Sequence, residues 1–97
     1  MDLPRNFGRA LRTARRLRGV SQEALDSVSS RTYISSLERG LKSPTLEKVD
    51  QIAGALAIHP VTLVAYSYLD SGDSDGFDRL LGQIEDELRQ LMKASHE

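Results

Sequence analysis

In 30-SRTYISSLERGL-41, a helical wheel places Arg31, Thr32, Ser35, Ser36 and Arg39 on one side. Ser30, Ile34, Leu37 and Leu41 fall on the other, spaced by four, three and four. Arginines and small hydroxyls at that spacing do one kind of chemistry: they donate hydrogen bonds to an anionic, acceptor-rich partner. Arginine can pair in a bidentate manner with guanine, and short hydroxyls let a helix backbone approach bases or phosphates closely. Within this stretch that side holds no carboxylate. The B-DNA major groove is roughly 12 Å wide and admits such a helix. The plain alternative is a polar face turned to solvent.

Other chemistries find less support. The chain has no cysteine, which removes disulfides, thiolate metal sites and cysteine nucleophiles and is compatible with a reducing compartment. His59 precedes a proline and reads as a helix cap, and His96 lies in a frayed terminus, so no metal site and no cofactor are expected. The segment 71-SGDSDG-76 superficially resembles a calcium loop, but it begins on serine and has Gly82 where the bidentate glutamate is needed. The serines have no G-x-S-x-G elbow, and no glycine-rich phosphate loop is present. An enzyme is not expected. No signal-peptide pattern and no membrane-spanning apolar run is read, so the expected location is cytoplasmic, with no membrane partner.

Charge is divided unevenly along the 97 residues. Residues 1–48 carry ten Arg/Lys against five Asp/Glu, a balance of +5, while residues 49–97 carry three against nine, a balance of −6. Such a split points to a polyanion-facing half and a half with another task. With no tryptophan and few aromatics, the core must be Leu, Ile, Val and Ala, which suits short packed helices.

The elements that must position the polar face follow from periodicity. Phe7, Ala10, Leu11, Ala14 and Leu17 form the stripe of a first helix, with Pro4 in its first turn and Gly19 beyond its end. Arg9, Arg12, Arg16 and Arg18 lie largely off that stripe. Ser21 suits an N-cap for a short second helix burying Ala24, Leu25 and Val28. A third helix is predicted from about Arg31 to Arg39, ending at Gly40. Thr45 caps a fourth helix with Leu46, Val49, Ile52, Ala53 and Leu56. Pro60 opens a fifth with Val61, Val64, Ala65, Tyr68 and Leu69 as its apolar positions. Residues 70–76 read as an acidic linker before a last helix. The fold class is all-α.

An arginine-rich helix, a short helix, a tight turn and a third helix are the parts of a helix-turn-helix. The chain resembles the XRE group, the Cro and phage-repressor type of regulators. The resemblance rests on 11-LRTARRLRGVSQEAL-25, 31-RTYISSLERGLKSPTLEKVDQIAGAL-56 and 60-PVTL-63, and covers about Phe7 to Tyr68. It implies a five-helix lambda-repressor-like DNA-binding domain over residues 1–69, with double-stranded DNA as partner. Carried across, it implies that Arg31, Thr32 and Ser36 read base edges, with Ser30 and Arg39 on the same DNA-facing segment. Ser35 and Tyr33 would lie near phosphates or the groove wall. Gln22 would contact the backbone and brace the third helix, and Lys42 and Ser43 would grip a phosphate. Arg15 and Glu38 match a structural ion pair tying the first helix to the third. Two departures stand out. The turn before Arg31 is about two residues shorter than usual, and Ala57 stands where a glycine often ends the fourth helix.

The last helix, residues 77–97, carries Phe77, Leu80, Leu81, Ile84, Leu88, Leu91 and Met92 on one side. It could fold back over the core or pair with its copy. The acidic linker and the dimeric habit of the resembled group favour a homodimer, and the breadth of the stripe also suits a tetramer. The expected function is therefore a sequence-specific regulator of bacterial or phage type, a repressor on a two-fold-symmetric operator, with room for a protein co-regulator. The competing expectation is a protein-interaction module, such as the antitoxin of a toxin-antitoxin pair, that also binds DNA.

Overall fold

The computed structural model describes residues 1–70 and 74–96, and among the described residues the regular elements are all helices. Five α-helices occur: α1 (Leu3–Arg18), α2 (Arg31–Glu38), α3 (Leu46–Ala55), α4 (Pro60–Ser67) and α5 (Ser74–Ala94), with a 3-10 turn over Gln22–Leu25 between α1 and α2. Asp2 caps α1 by accepting from the Arg5 N–H at 3.1 Å, and Gly19 closes it in the left-handed conformation at φ 68°. Ser30, Thr45 and His59 cap α2, α3 and α4 in the same manner.

One core holds the first four helices together. Phe7, Leu11 and Ala14 of α1 meet Leu25, then Ile34 and Leu37 of α2, Val49, Ile52 and Ala53 of α3, Leu56, and Leu63 of α4. Burying each large aliphatic stabilises by about 1.5–3 kcal/mol, which is what seats these short helices. α1 crosses the end of α2 closely. A Cβ on Gly8 would stand 2.5 Å from the Leu37 carbonyl oxygen, so only glycine fits there.

Several expectations need correction. The second helix is a single 3-10 turn rather than an α-helix, and Ser21 makes no side-chain cap. Of the three residues expected to be buried there, Leu25 is buried, Val28 packs half-buried against the core and Ala24 is exposed. Leu41 is exposed because α2 stops at Glu38 and Gly40, at φ 74°, turns the chain before the helical period reaches it. Leu46, at the first turn of α3, and Leu17, in the last turn of α1, are exposed beyond the ends of the core. On α4 the buried position is Leu63, one the sequence stripe omitted, because α4 has two apolar sides. Leu63 and Ser67 face α1 and α3, whereas Val61, Ala65 and Leu69 line a groove with Phe77, Leu80, Leu81 and Ile84 of α5. The expected linker is also shorter. Ser74, Asp75 and Gly76 are the first turn of α5, and residues 71–73 lie outside the described residues.

Among the described residues no single helix is long and apolar enough to cross a membrane.

Candidate nucleic-acid interface

α2 is held at its inner side by three residues. Ile34 and Leu37 are fully buried, and Glu38 is 4% exposed. The Glu38 carboxylate is the centre of a charged and polar cluster. Arg15 engages both its oxygens, through Nε to Oε2 and through Nη2 to Oε1 at 2.8 Å. Gln22 Nε2 donates to Oε1 at 3.2 Å, and Arg12 donates to the Glu38 carbonyl at 3.1 Å. The hydrogen bond to Glu38 raises the Arg15 pKa above the ordinary arginine value. Burial opposes that rise and the attraction between the two charges adds to it. One carboxylate thus sets the position of α2 against both α1 and the 3-10 turn.

The outer side of α2 is then left open. Arg31, Thr32 and Arg39 are exposed and Ser35 is half-buried, and together with Gln22 they line a shallow polar concavity. Ser36 is not part of it. At 8% exposed it is buried, like its neighbours Leu37 and Glu38. A wheel drawn on α2 alone cannot show how far its neighbours cover each side. Ser30 sits at the edge of the face, but its hydroxyl accepts from the Tyr33 N–H at 3.1 Å as the helix cap. Gln22 faces two ways, bracing Glu38 while lining the concavity.

A second cluster flanks the face. Tyr33 is half-buried, with Lys42 Nζ 5.6 Å and Lys48 Nζ 5.9 Å from its ring centroid. Lys42 and Ser43 are exposed on the loop before α3. Lys48 was not singled out by the sequence. Its Nζ donates to the Val28 carbonyl at 2.8 Å, tying the shortened turn to the start of α3. Glu23 was also missed. It adds a carboxylate to a face that α2 alone leaves purely basic, meeting Arg31 Nη1 at 2.9 Å. Only the pairing of the 3-10 turn with α2 brings it there.

The arginines of α1 have other tasks. Arg9 donates to the Leu69 carbonyl at 2.7 Å and lies over the Tyr66 ring, tying off the end of α4. Arg18 donates to the carbonyls of Leu56 and Ala57 at the end of α3. Arg12 and Arg15 bind the end of α2. Part of the basic excess in residues 1–48 therefore closes helix ends, where orphan carbonyls and the helix dipole favour cations. Arg31 on α2, Arg39 at its end and Lys42 just beyond it are exposed cations. Among the described residues, no three His, Cys, Asp or Glu side chains gather as a metal-holding group.

Comparison with known proteins bears on this arrangement. A family model described as helix-turn-helix matches residues 11–63, from α1 into α4. An uncharacterized HTH-type transcriptional regulator of Sinorhizobium fredii, y4dJ, is 38% identical over 66 residues, covering 66% of this chain and 86% of that relative. The crystal structure of the clp gene regulator ClgR from Corynebacterium glutamicum matches with a TM-score of 0.64 at 25% identity. That match covers 97% of this chain and 94% of the other.

Proposed function

The chain belongs to the helix-turn-helix family of DNA-binding transcriptional regulators, and from that premise we propose that it represses transcription from a two-fold-symmetric operator. α2 enters the major groove with its open face toward the bases. Arg31, Thr32 and Ser35 read base edges, and Arg39 lies along the groove wall. Lys42, Ser43, Tyr33 and Gln22 hold the phosphate backbone. Ser30 contributes as the cap of α2, and Ser36 as packing. The observation that carries this reading is the concavity of Gln22, Arg31, Thr32, Ser35 and Arg39, polar and open, on a helix anchored from behind by Glu38.

Residues 1–69 are the DNA-binding domain and α5 is the oligomerisation helix. No residue of α5 is buried, and Leu88, Leu91 and Met92 are 53%, 66% and 64% exposed. A symmetric dimer through these residues places two copies of α2 in successive major grooves, about 34 Å apart. A tetramer uses the same stripe. The site of action is the bacterial cytoplasm, and the protein works by binding, without catalysis.

Selection of bound duplexes from random DNA tests the reading directly. The expected product is a pair of inverted half-sites with centres about 10–10.5 base pairs apart. Failure to enrich any sequence sinks it. The exposed stripe also favours a second reading, in which another protein covers α5, as in an antitoxin. Light scattering separates the two: a stable dimer or tetramer has its stripe occupied by its own copies, and a monomer that becomes stable only with a partner does not.

A further inference from the structure

We infer that Glu23 is a specificity-determining residue that acts through Arg31; the inference rests on the DNA-binding reading of α2. Glu23 stands in the 3-10 turn and its Oε1 meets Arg31 Nη1 at 2.9 Å, with the two side chains 62% and 66% exposed. Arg31 lines the open concavity of α2, and Glu23 meets it there from the 3-10 turn, beside the face offered to a polyanion. A carboxylate is costly there, since every phosphate nearby repels it. An exposed ion pair contributes little to folding, so stability does not account for its position.

Its geometry suits a different task. The contact takes the Nη1 side of the guanidinium and leaves the Nε and Nη2 edge for a bidentate pair. Guanine offers N7 and O6 to such an edge in the major groove. Arg31 can therefore keep Glu23 and add guanine. On a sequence without guanine at that place, Arg31 gains nothing by staying there. A phosphate that it reaches only by swinging away from Glu23 leaves that carboxylate unpaired among phosphates. Glu23 so holds Arg31 in the base-reading orientation and penalises the non-specific mode, which is discrimination by an added repulsion as well as by an attraction.

The test measures binding of the selected operator and of a random duplex of equal length by fluorescence anisotropy. Wild type, Glu23→Gln, Arg31→Ala and the double variant are compared. Glu23→Gln is expected to bind random DNA about three- to tenfold more tightly, with a steeper salt dependence. Its operator affinity rises less or falls, so the operator-to-random ratio drops. In the Arg31→Ala background, Glu23→Gln is expected to leave that ratio unchanged. An equal change on both duplexes with Arg31 present overturns the inference. So does a drop in the ratio that persists without Arg31, because Glu23 would then read DNA by itself. If wild type selects no site at all, it is the DNA-binding reading that fails, independently of Glu23.

Discussion

On the proposed reading, Arg31 and Lys42 grip DNA in two different ways. Arg31→Ala is expected to weaken operator binding by about 1–3 kcal/mol and to relax discrimination at one base position. Lys42→Ala is expected to weaken operator and random DNA alike, reducing the salt slope by about one. Titrations at several salt concentrations on both duplexes distinguish them, and an equal loss on both duplexes for Arg31→Ala would place it on a phosphate. A third residue tests the fold rather than the site. Ala57 follows α3 at φ 53°, in the left-handed region that disfavours a side chain. Ala57→Gly should therefore raise stability by about 1 kcal/mol, seen as a melting point higher by a few degrees. A lower melting point would show that glycine's freedom in the unfolded chain outweighs the relief of strain.

α2 depends on Glu38 more than on its own length. An eight-residue helix is too short to stand alone in water. Removing one partner of a buried ion pair leaves the other charge uncompensated, so Glu38→Ala should destabilise by about 3–5 kcal/mol in denaturant melts. Glu38→Gln keeps the shape and some hydrogen bonds and should lose less. Equal losses would assign the effect to the missing charge rather than to shape. Much of this element level was legible in the sequence. The stripes on α1 and α3 held their buried apolar residues along with the exposed Leu17 and Leu46, the caps at Thr45 and His59 were readable from residue type, and the Arg15 and Glu38 pair was expected. The misses share a physical cause. Ser36, Leu41 and Leu63 were assigned from single helices, and their burial is decided by what the chain does next. Ser36 is buried on a side that its polarity marked as open, and Leu63 is chosen by the core it joins. Glu23 and Lys48 were overlooked because their partners, Arg31 and Val28, sit on other segments. The arginines of α1 were counted toward a polyanion when they were needed at helix ends.

For the molecule as a whole, α5 is where association should be decided. Leu88→Asp with Leu91→Asp places charges on exposed apolar positions of the stripe. The expected outcome in light scattering is a smaller species. The melting transition of the first four helices should be unchanged, and operator affinity should fall with the loss of the second half-site. A larger species that persists would move the interface off this stripe. Another consequence follows from the ties that α1 makes. Asn6 Nδ2 donates to the Ser67 carbonyl and Arg9 to that of Leu69, sixty residues or so along the chain. Those ties cannot form until the chain has been made as far as Leu69. The buried residues of α2 likewise need Val49, Ile52 and Leu63, which all follow it in sequence. α1 is made first and fixed last, so the domain closes as one unit only when its first and fourth helices meet.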